Sequence, residues 1–451
     1  MSYDESVRSL LALGRELAAP QQARVQKFGL ENIAALAAAL GNPHRAVPCV
    51  HIAGTNGKGS TAAILESILR ATGLRTGLYT SPHLERINER IRLDGKPISD
   101  ELFAEAWTRV HAAIESLMAG GKLASHPTYF ECVTAMAFHV FREQRVGFAV
   151  YEVGLGGRLD STNIVEPEVA IITPIDFDHE NFLGHSIEEI ASEKAGIIKD
   201  GATVVTSVVR PEARAVMARK CTEMHARLVD IDEEWRVEYG PPAAGFYRAV
   251  AIATKSPMRI TIAPSLPGRF QIRNALAAAT GACVLRERGM RIADSTIERG
   301  IAGVQWPGRL ERLSEKPAVY LDGTHNPAGA RELVAFWQEN FAGRRIVLVY
   351  GAMRDKAVDE IAGVLFPEAH HVILTELKHS RALSAELLAE VTADLAPRVT
   401  IVRDPGEALE RAIDLAGADG AVFVTGSLYL AGDLRTYWKS RKSRASAPLG
   451  F

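Results

Sequence analysis

The sequence predicts an α/β protein with an N-terminal phosphate-loop domain, built on a parallel sheet, and a smaller C-terminal Rossmann-like α/β domain. Apolar, nearly continuous runs alternate with helical patterns along most of the 451 residues, as in parallel sheets covered on both faces. One early run, VPCVHIA, leads into the glycine-rich turn GTNGKGS and then a helical pattern. Because the chain is too long for one ordinary core, we predict two domains, 1–304 and 305–451.

The first series of predicted strands lies between Val47 and about Gly201, where LRTGLYT, GFAVYEV and VAIITPI are apolar and nearly continuous. From about Ala202 to Leu266 the pattern is more mixed, and VEYG, FYRAVAIAT and MRITIA predict a smaller strand-rich part. GRFQIRNALAAATGACVLRERG returns to a helical pattern. These elements together predict the first domain.

A second series follows AGVQWPGR. Five strand-like runs, AVYLDG, RRIVLVYG, HHVILTEL, RVTIVRD and AVFVTG, have helical patterns between them. They predict a second α/β domain of ordinary size. In open parallel sheets, ligands bind beyond the carboxyl ends of the strands, so the polar residues that follow each run are the candidates for function.

The composition is that of a water-soluble globular protein, with 47% apolar and 24% charged residues and a formal net charge of -2. This balance gives no reason to expect a nucleic-acid partner. The four cysteines form no CxxC pair, which argues against a zinc site and a disulfide framework. No apolar run reaches membrane-spanning length and the N-terminus lacks a secretory pattern, so we expect a cytoplasmic protein without a membrane partner.

The turn GTNGKGS places Gly54, Gly57 and Gly59 around Lys58, between a strand and a helix. Backbone N–H groups and the positive end of a helix dipole converge at such a turn and suit an anion. The alternative is an ordinary turn in which glycine supplies a positive φ. Glycines, a lysine and hydroxyl residues occur here together, and this combination favours a phosphate cradle.

Glu152 ends the run GFAVYE and is followed by GLGGRLDSTN, which contains Asp160. A carboxylate facing the Lys58 loop across neighbouring strands suits Mg²⁺ bound to nucleotide phosphates, and a structural polar strand end is the alternative. The next run ends in ITPIDFDHENF. There His179 is a candidate metal or phosphate ligand, with a structural histidine as the alternative.

The segment SIEEIASEKAGIIK predicts a helix opened by the capping-box pair Ser186 and Glu189. Its apolar stripe includes Lys194, which should therefore be buried. Burial lowers the pKa of a lysine and leaves a reactive neutral amine. Two outcomes stay open at this point: a side chain that extends its amine to solvent, or a lysine carbamate that serves as an anionic ligand.

In the second series, DGTHNPAGARE places Asp322 at a strand end, with His325 close behind it. Asn326 and the proline after it are suited to cap and begin a helix. VTGSLYLAG repeats the strand, glycine, serine and helix arrangement at Ser427. These polar strand ends are candidates for a nucleotide or substrate site that faces the first domain.

Together these segments resemble the folylpolyglutamate synthases, which are Mur-type amide ligases. The resemblance runs from about Gly29 to Leu434 and is carried by HIAGTNGKGST, YTSPHLERINERI, PTYFECVTAMAF, EVGLGGRLDSTNIV, DHENFLGHSIEEIASEKAGIIK, WPGRLE, DGTHNPAGA and VTGSLYL. It implies ATP-dependent joining of L-glutamate to a folate carboxylate through an acyl phosphate. It also implies Mg²⁺, K⁺ as an additional cation, ATP as co-substrate, and a monomer whose partners are small molecules: ATP, L-glutamate, and reduced folate or dihydropteroate.

The resemblance also implies roles for individual residues. Lys58, Lys194 as a carbamate, and His325 are implied in catalysis, with Ser81 and Glu152 as ligands of one Mg²⁺ and His179 supporting a second metal. Arg90, His325 and Ser427 are implied near the incoming glutamate, and Asp160 near the pterin. The ATP site it implies consists of Gly54, Thr55, Asn56, Gly57, Lys58, Gly59, Ser60, Asn274, Arg309 and Asp322.

Three questions stay open from the sequence. QKFGLENIAALAAALGNP stands where bifunctional relatives often carry an IDLGL-like segment, so a dihydropteroate activity is undecided. The second question is whether the protein is a phosphate-loop nucleotide switch instead of a ligase. This alternative is weakened because the pattern Asn-Lys-x-Asp, with which guanine-nucleotide switches recognise the base, is missing from the sequence. A murein-precursor amino-acid ligase is a third, disfavoured by the folate-type motifs.

Overall fold

The computed structural model describes residues 1–13, 29–123, 125–393, 395 and 398–445. Its largest sheet has eight strands in the order β4-β3-β2-β5-β1-β6-β7-β8. The strands from β2 to β8 in this order are parallel, whereas β3 and β4 form an antiparallel edge. Their bounds are β1 Cys49–Ala53, β2 Thr76–Tyr79, β3 Ile91–Leu93, β4 Lys96–Pro97, β5 Phe148–Glu152, β6 Val169–Ile172, β7 Thr203–Thr206 and β8 Arg227–Asp230.

Helices cover both faces of this sheet, as continuous apolar strands require. On one face, Ile64 and Ile68 pack with Leu276 and Ile297, while the other face buries Trp107 and Phe138. The helices of this part are α1 Tyr3–Ala12, α2 Glu31–Ala39, α3 Lys58–Arg70, α4 Asp100–Ala119, α5 Tyr129–Glu143, α6 Glu180–Leu183, α7 Ile187–Ala195, α8 Pro211–Glu223, α9 Ile231–Glu234, α10 Phe270–Glu287 and α11 Asp294–Ala302.

A small antiparallel sheet, in the order β11-β10-β9, lies between the eighth strand and α10 in the chain. Its strands are β9 Trp235–Tyr239, β10 Ala249–Ala253 and β11 Arg259–Ile262. It packs onto the helical layer of the main sheet, where Trp235 donates its indole N–H to Thr280 of α10 at 2.9 Å. The strand-rich part predicted between Ala202 and Leu266 is thus real, although β7 and β8 within it belong to the large sheet.

The C-terminal part is a second, six-stranded sheet in the order β12-β13-β17-β14-β15-β16. All neighbouring pairs are parallel except the antiparallel edge pair of β12 and β13. The elements are β12 Glu311–Glu315, β13 Ala318–Leu321, α12 Pro327–Asn340, β14 Ile346–Tyr350, α13 Val358–Leu365, β15 His371–Leu374, α14 Ala385–Val391, β16 Val399–Ile401, α15 Pro405–Ala416, β17 Ala421–Thr425 and α16 Leu428–Ala445.

The predicted fold class is confirmed: a parallel-sheet N-terminal part is followed by a second α/β sheet. Each apolar run quoted from the sequence is a strand of the structure. The short, polar edge strands β3, β4 and β12 were not predicted, because they lack an apolar run. Within the described residues, no helix is both long and apolar enough to cross a membrane. Residues 26–28, which begin the segment bearing on dihydropteroate activity, lie outside the described residues.

Candidate functional site

The glycine-rich turn joins the end of β1 to the first residue of α3, Lys58. Gly54 and Gly57 both have positive φ angles, 151° and 83°. A Cβ on Gly54 would lie 1.9 Å from Thr173 Oγ1, and one on Gly57 would lie 2.3 Å from Asn274 Oδ1. Both conformation and space therefore require glycine here, and Asn274 is brought against the turn from α10.

Two lysine side chains donate to the same backbone carbonyl of this turn. Lys58 Nζ lies 3.0 Å from the carbonyl oxygens of Gly54 and Thr55, and Lys194 Nζ lies 2.9 Å from that of Gly54. Burial lowers the pKa of both amines, and for Lys194, with Lys58 as a further cause, to about 7. The predicted burial of Lys194 is confirmed, and its amine reaches the loop rather than solvent.

Glu152 is the last residue of β5 and lies across from this turn. It is 5% exposed, and its carboxylate accepts a hydrogen bond from the backbone N–H of Ser81 at 3.1 Å. Burial raises its pKa, although Lys58, the Ser81 N–H, Arg309 and Arg90 oppose that rise. A cleft opens beside it, lined by Gly59, Ser81, His83, Glu152, Trp306 and Arg309 among others.

The loop after β6 meets the C-terminal sheet at Asp178. Its carboxylate lies 2.8 Å from Lys356 Nζ, 3.6 Å from His325 Nε2 and 3.3 Å from Asn326 Nδ2. Burial would raise the pKa of Asp178, but Lys356 and the neighbouring histidines outweigh burial and hold it well below its usual value. Asn326 also donates to Asn56 Oδ1 at 2.9 Å, so this cluster ties the phosphate-loop turn to the second sheet.

His179 is the next residue in the chain, and its backbone has a left-handed conformation with φ of 53°. Burial lowers its pKa to about 3, so the ring is neutral and able to act as a ligand. Its Nε2 lies 3.2 Å from Lys356 Nζ. The ammonium of Lys356 therefore occupies the lone pair that a metal would use, and a metal at His179 requires this lysine to turn away.

The remaining candidates in the C-terminal part border the junction. Asp322 accepts hydrogen bonds from the backbone N–H groups of Leu310 and Thr324, at 2.8 and 2.9 Å, which holds the turn next to Arg309. His325 Nδ1 contacts the Gly323 carbonyl at 2.7 Å. Ser427 is buried and precedes α16, as its strand, glycine and serine pattern predicted.

Two candidates lie in the loops of the large sheet. Asp160 is buried and its two carboxylate oxygens accept four hydrogen bonds from its own loop. Arg90 is 1% exposed; its Nε donates to His83 Nδ1 at 2.9 Å and its guanidinium lies 5.5 Å from the centre of the Tyr129 ring. Arg90 lies at the end of the 3₁₀ helix Ile87–Arg90.

The donor set near Glu152 suits Mg²⁺ bound together with phosphate. Among the described residues, no group of three or more His, Cys, Asp or Glu side chains is arranged to hold a metal by itself. Mg²⁺ in nucleotide sites commonly takes one or two protein oxygens and completes its shell with phosphates and water. Glu152 and Ser81 provide a buried carboxylate and a hydroxyl beside the phosphate-loop turn, so their chemistry fits that ion.

The chain matches known proteins over nearly its whole length. Residues 52–282 match the Mur ligase middle domain, and residues 308–428 match the Mur ligase, glutamate ligase domain. A dihydrofolate synthase/folylpolyglutamate synthase of Bacillus subtilis is 37% identical over 411 residues, which cover 91% of this chain and 94% of that protein. The chain belongs to the folylpolyglutamate synthase and dihydrofolate synthase family.

Solved structures of this family have the same fold. Mycobacterium tuberculosis folylpolyglutamate synthase complexed with ADP and AMPPCP has a TM-score of 0.86 at 34% identity, covering 96% of this chain and 99% of that one. An Escherichia coli FolC structure in complex with DHPP and ADP has a TM-score of 0.83 at 29% identity, covering 98% and 99%. As a member of the folylpolyglutamate synthase family, the protein is an ATP-dependent amide ligase.

Sequence reasoning missed two members of the junction. Asp178 directly precedes His179 in ITPIDFDHENF but is not among the selected candidates, and neither is Lys356. Lys356 follows β14 in the loop GAMRDK, so the rule that ligands lie beyond the carboxyl ends of parallel strands could have found it. Its partner Asp178 lies 178 positions away, and no local pattern reveals that contact.

Proposed function

We propose that this ligase joins L-glutamate to the carboxylate of a reduced folate with ATP as co-substrate, and that dihydropteroate is a second acceptor. The observation that carries the proposal is the convergence, at one junction, of the phosphate-loop turn, buried Glu152 and the Asp178 cluster. The relatives' names supply the acceptor class. We place the boundary between the domains after residue 304, with 1–304 as the ATP-binding part and 305–451 as the glutamate-ligase part.

In the proposed reaction, the chain first makes the acceptor carboxylate reactive. A carboxylate is a poor acyl donor, so the γ-phosphoryl group of ATP is transferred to it and forms an acyl phosphate. Lys58 and the N–H groups of the turn hold the phosphates while negative charge shifts between oxygens. Mg²⁺, held by Glu152 and Ser81, would supply further charge stabilisation. Gly54, Thr55, Asn56, Gly57, Gly59, Ser60, Asn274, Arg309 and Asp322 complete the proposed ATP site.

The amine of glutamate then attacks the acyl carbon and phosphate leaves. We assign the binding of the incoming glutamate to His325 and Lys356, with Arg90 and Ser427 nearby, because cations and a buried hydroxyl suit the carboxylates of glutamate. Asp160 is proposed near the pterin. The contacts between Asp178 and the C-terminal part hold the two halves together, which would keep water from the acyl phosphate.

Further assignments extend the family resemblance. His179 is proposed to support a second metal once Lys356 has moved, and Lys194 to act as a carbamate, because its amine is buried and its pKa of about 7 leaves a reactive neutral form. K⁺ is proposed as an additional cation on the resemblance alone. We also propose a monomer in the cytoplasm.

The test is product mass after incubation with ATP, Mg²⁺ and glutamate, with dihydropteroate in one tube and tetrahydrofolate in another. Glutamate added in both tubes is the expected result; addition to tetrahydrofolate alone would refute the second acceptor. Lys58→Met should abolish both products, whereas Lys378→Met, at a side chain 76% exposed, should leave both unchanged. ATP hydrolysis with no glutamate added in either tube would refute the proposed acceptor.

A further inference from the structure

A buried histidine in β1 has no role in the reaction described so far. His51 is fully buried, and its Nδ1 has no hydrogen-bond partner among the described residues. Its Nε2 lies 2.7 Å from Thr162 Oγ1, and that hydroxyl lies 2.5 Å from Asp160 Oδ1. A hydroxyl has one hydrogen to donate. Thr162 therefore donates to Asp160, and His51 must donate its Nε2–H to Thr162.

This chain of hydrogen bonds ends on the turn that follows Glu152. Asp160 Oδ2 accepts the backbone N–H groups of Gly154 and Leu155 at 3.0 and 2.9 Å, while Oδ1 also accepts the Thr162 N–H at 3.0 Å. Gly154 is two residues beyond Glu152 along the chain. Asp160, held in this orientation, therefore fixes the path of the backbone that leaves β5.

The same loop also contacts the helix that carries Lys194. The backbone N–H of Arg158 donates to the Glu193 carbonyl at 2.8 Å, and Asn163 Nδ2 donates to the Gly196 carbonyl at 3.0 Å. The approach is close, since a Cβ on Gly157 would lie 2.7 Å from the Glu193 oxygen. Loop 153–163 thus lies between Glu152, the candidate Mg²⁺ ligand, and the helix that carries Lys194.

His51 is an unfavourable choice for the core alone. A buried ring nitrogen without a partner destabilises a fold, and an aliphatic side chain in the same place would not. Burial also lowers the pKa of His51 to about 3, with Lys199 as a further cause, so the ring stays neutral. A neutral ring that donates in one direction keeps the Thr162 hydroxyl pointing at Asp160.

We propose that His51 and Thr162 are positioning residues of the ligase. Their hydrogen bonds orient Asp160, which fixes loop 153–163 and thereby places Glu152 and Lys194 for the reaction. Neither residue needs to touch a substrate. The kinetic part of this inference rests on the proposed function, whereas the ordering of the loop does not.

At nearly constant volume, Thr162→Val removes both hydrogen bonds of the Thr162 hydroxyl, to His51 and to Asp160, whereas His51→Leu removes only the first of them. Thr162→Ser keeps the hydroxyl. Thr392→Val is the matched control, because Thr392 is also a buried threonine, and its hydroxyl donates a hydrogen bond to the Leu388 carbonyl. Hydrogen exchange of the peptide spanning 153–163 is measured in the protein without substrates. The Mg²⁺ requirement, the KM for tetrahydrofolate and kcat are measured in the ligase assay.

We expect Thr162→Val and His51→Leu to speed exchange in 153–163, and to raise the Mg²⁺ requirement and the folate KM about tenfold, as loss of a residue supporting a metal ligand does. Thr162→Ser and Thr392→Val should behave as wild type. The double variant should be no worse than either single one, because both break the same chain. His51→Gln, which keeps an N–H donor, should stay near the wild-type values. Should His51→Leu not fold, the comparison of Thr162→Val with Thr162→Ser decides the test.

Unchanged exchange in both single variants would overturn the proposal. Faster exchange with unchanged Mg²⁺ requirement and KM would also overturn it, since the histidine would then be merely structural. A wild-type protein that adds no glutamate would refute the proposed function instead. In that case the exchange data and Mg²⁺-dependent ADP binding by the same variants decide the positioning role.

Discussion

Lys194 gives a prediction whose size follows from the structure. Lys194→Met removes an amine that is 3% exposed and replaces it with an unbranched apolar side chain. Burial, and then the nearby Lys58, lower the pKa of this amine from 10.5 to about 7 in the folded protein. Between these two values the unfolded chain binds more protons than the folded one. Below pH 7 the buried amine is charged and destabilises the folded protein in full. The unfolding free energy of the wild type must therefore rise with pH in this window.

The magnitude follows from linkage. Each unit of pKa difference corresponds to about 1.36 kcal/mol, and integrating from pH 7 to pH 9 gives about 2 kcal/mol for this one amine. Between pH 7 and pH 9, we expect the unfolding free energy of the wild type to rise about 2 kcal/mol more than that of Lys194→Met. The variant should also lose ligase activity, because the reactive amine is gone.

The assay is urea-induced unfolding at pH 7, 8 and 9 in buffers freed of carbon dioxide, so that the amine is not carbamylated. Lys255→Met serves as the control, since that side chain is 72% exposed. It should show the pH dependence of the wild type. Equal slopes of stability against pH in wild type and Lys194→Met would refute the claim that Lys194 is held as a largely neutral amine.

Three further predictions concern other parts of the site. Glu152→Gln should raise the Mg²⁺ requirement of turnover about tenfold or more with little change in thermal stability; an unchanged metal titration would contradict its ligand role. Lys356→Met should raise the KM for glutamate more than that for ATP, and equal effects on both would point to domain packing instead. Gly57→Ala should weaken nucleotide binding, measured by calorimetry, because φ of 83° strains alanine by about 1–2 kcal/mol and its Cβ would meet Asn274; wild-type affinity would contradict this.

Local physics explains why most of the fold could be predicted. Central strands such as β1 and β14 are buried on both faces, so each reads as a continuous apolar run. Edge strands have no such requirement. β12, with the sequence ERLSE, has no fully buried position, and its pairing with β13 depends on a neighbour that the sequence pattern does not identify.

Some residues of the site could likewise be predicted from local patterns, whereas others could not. Lys58 and Glu152 could be selected because strand ends and glycine-rich turns have local patterns, and Lys194 because its helix has a clear apolar stripe. Lys356 and Asp178 become candidates only because they form an ion pair with each other. Their contact forms between two sheets and depends on how the two parts of the chain pack, which local propensity does not encode.

The charges around the phosphate-loop turn explain why these residues occur together. Lys58 and Lys194 donate to one carbonyl oxygen, and Lys58 adds to the burial that lowers the pKa of Lys194. Glu152 is the nearby buried carboxylate, and Lys58 opposes the rise in its pKa that burial causes. Such an arrangement is poorly compensated in a low-dielectric site. A polyanion such as the phosphates of ATP would balance the cations, and a metal ion would balance the carboxylate. These groups therefore favour binding of both charges together, which is what transfer of a phosphoryl group requires.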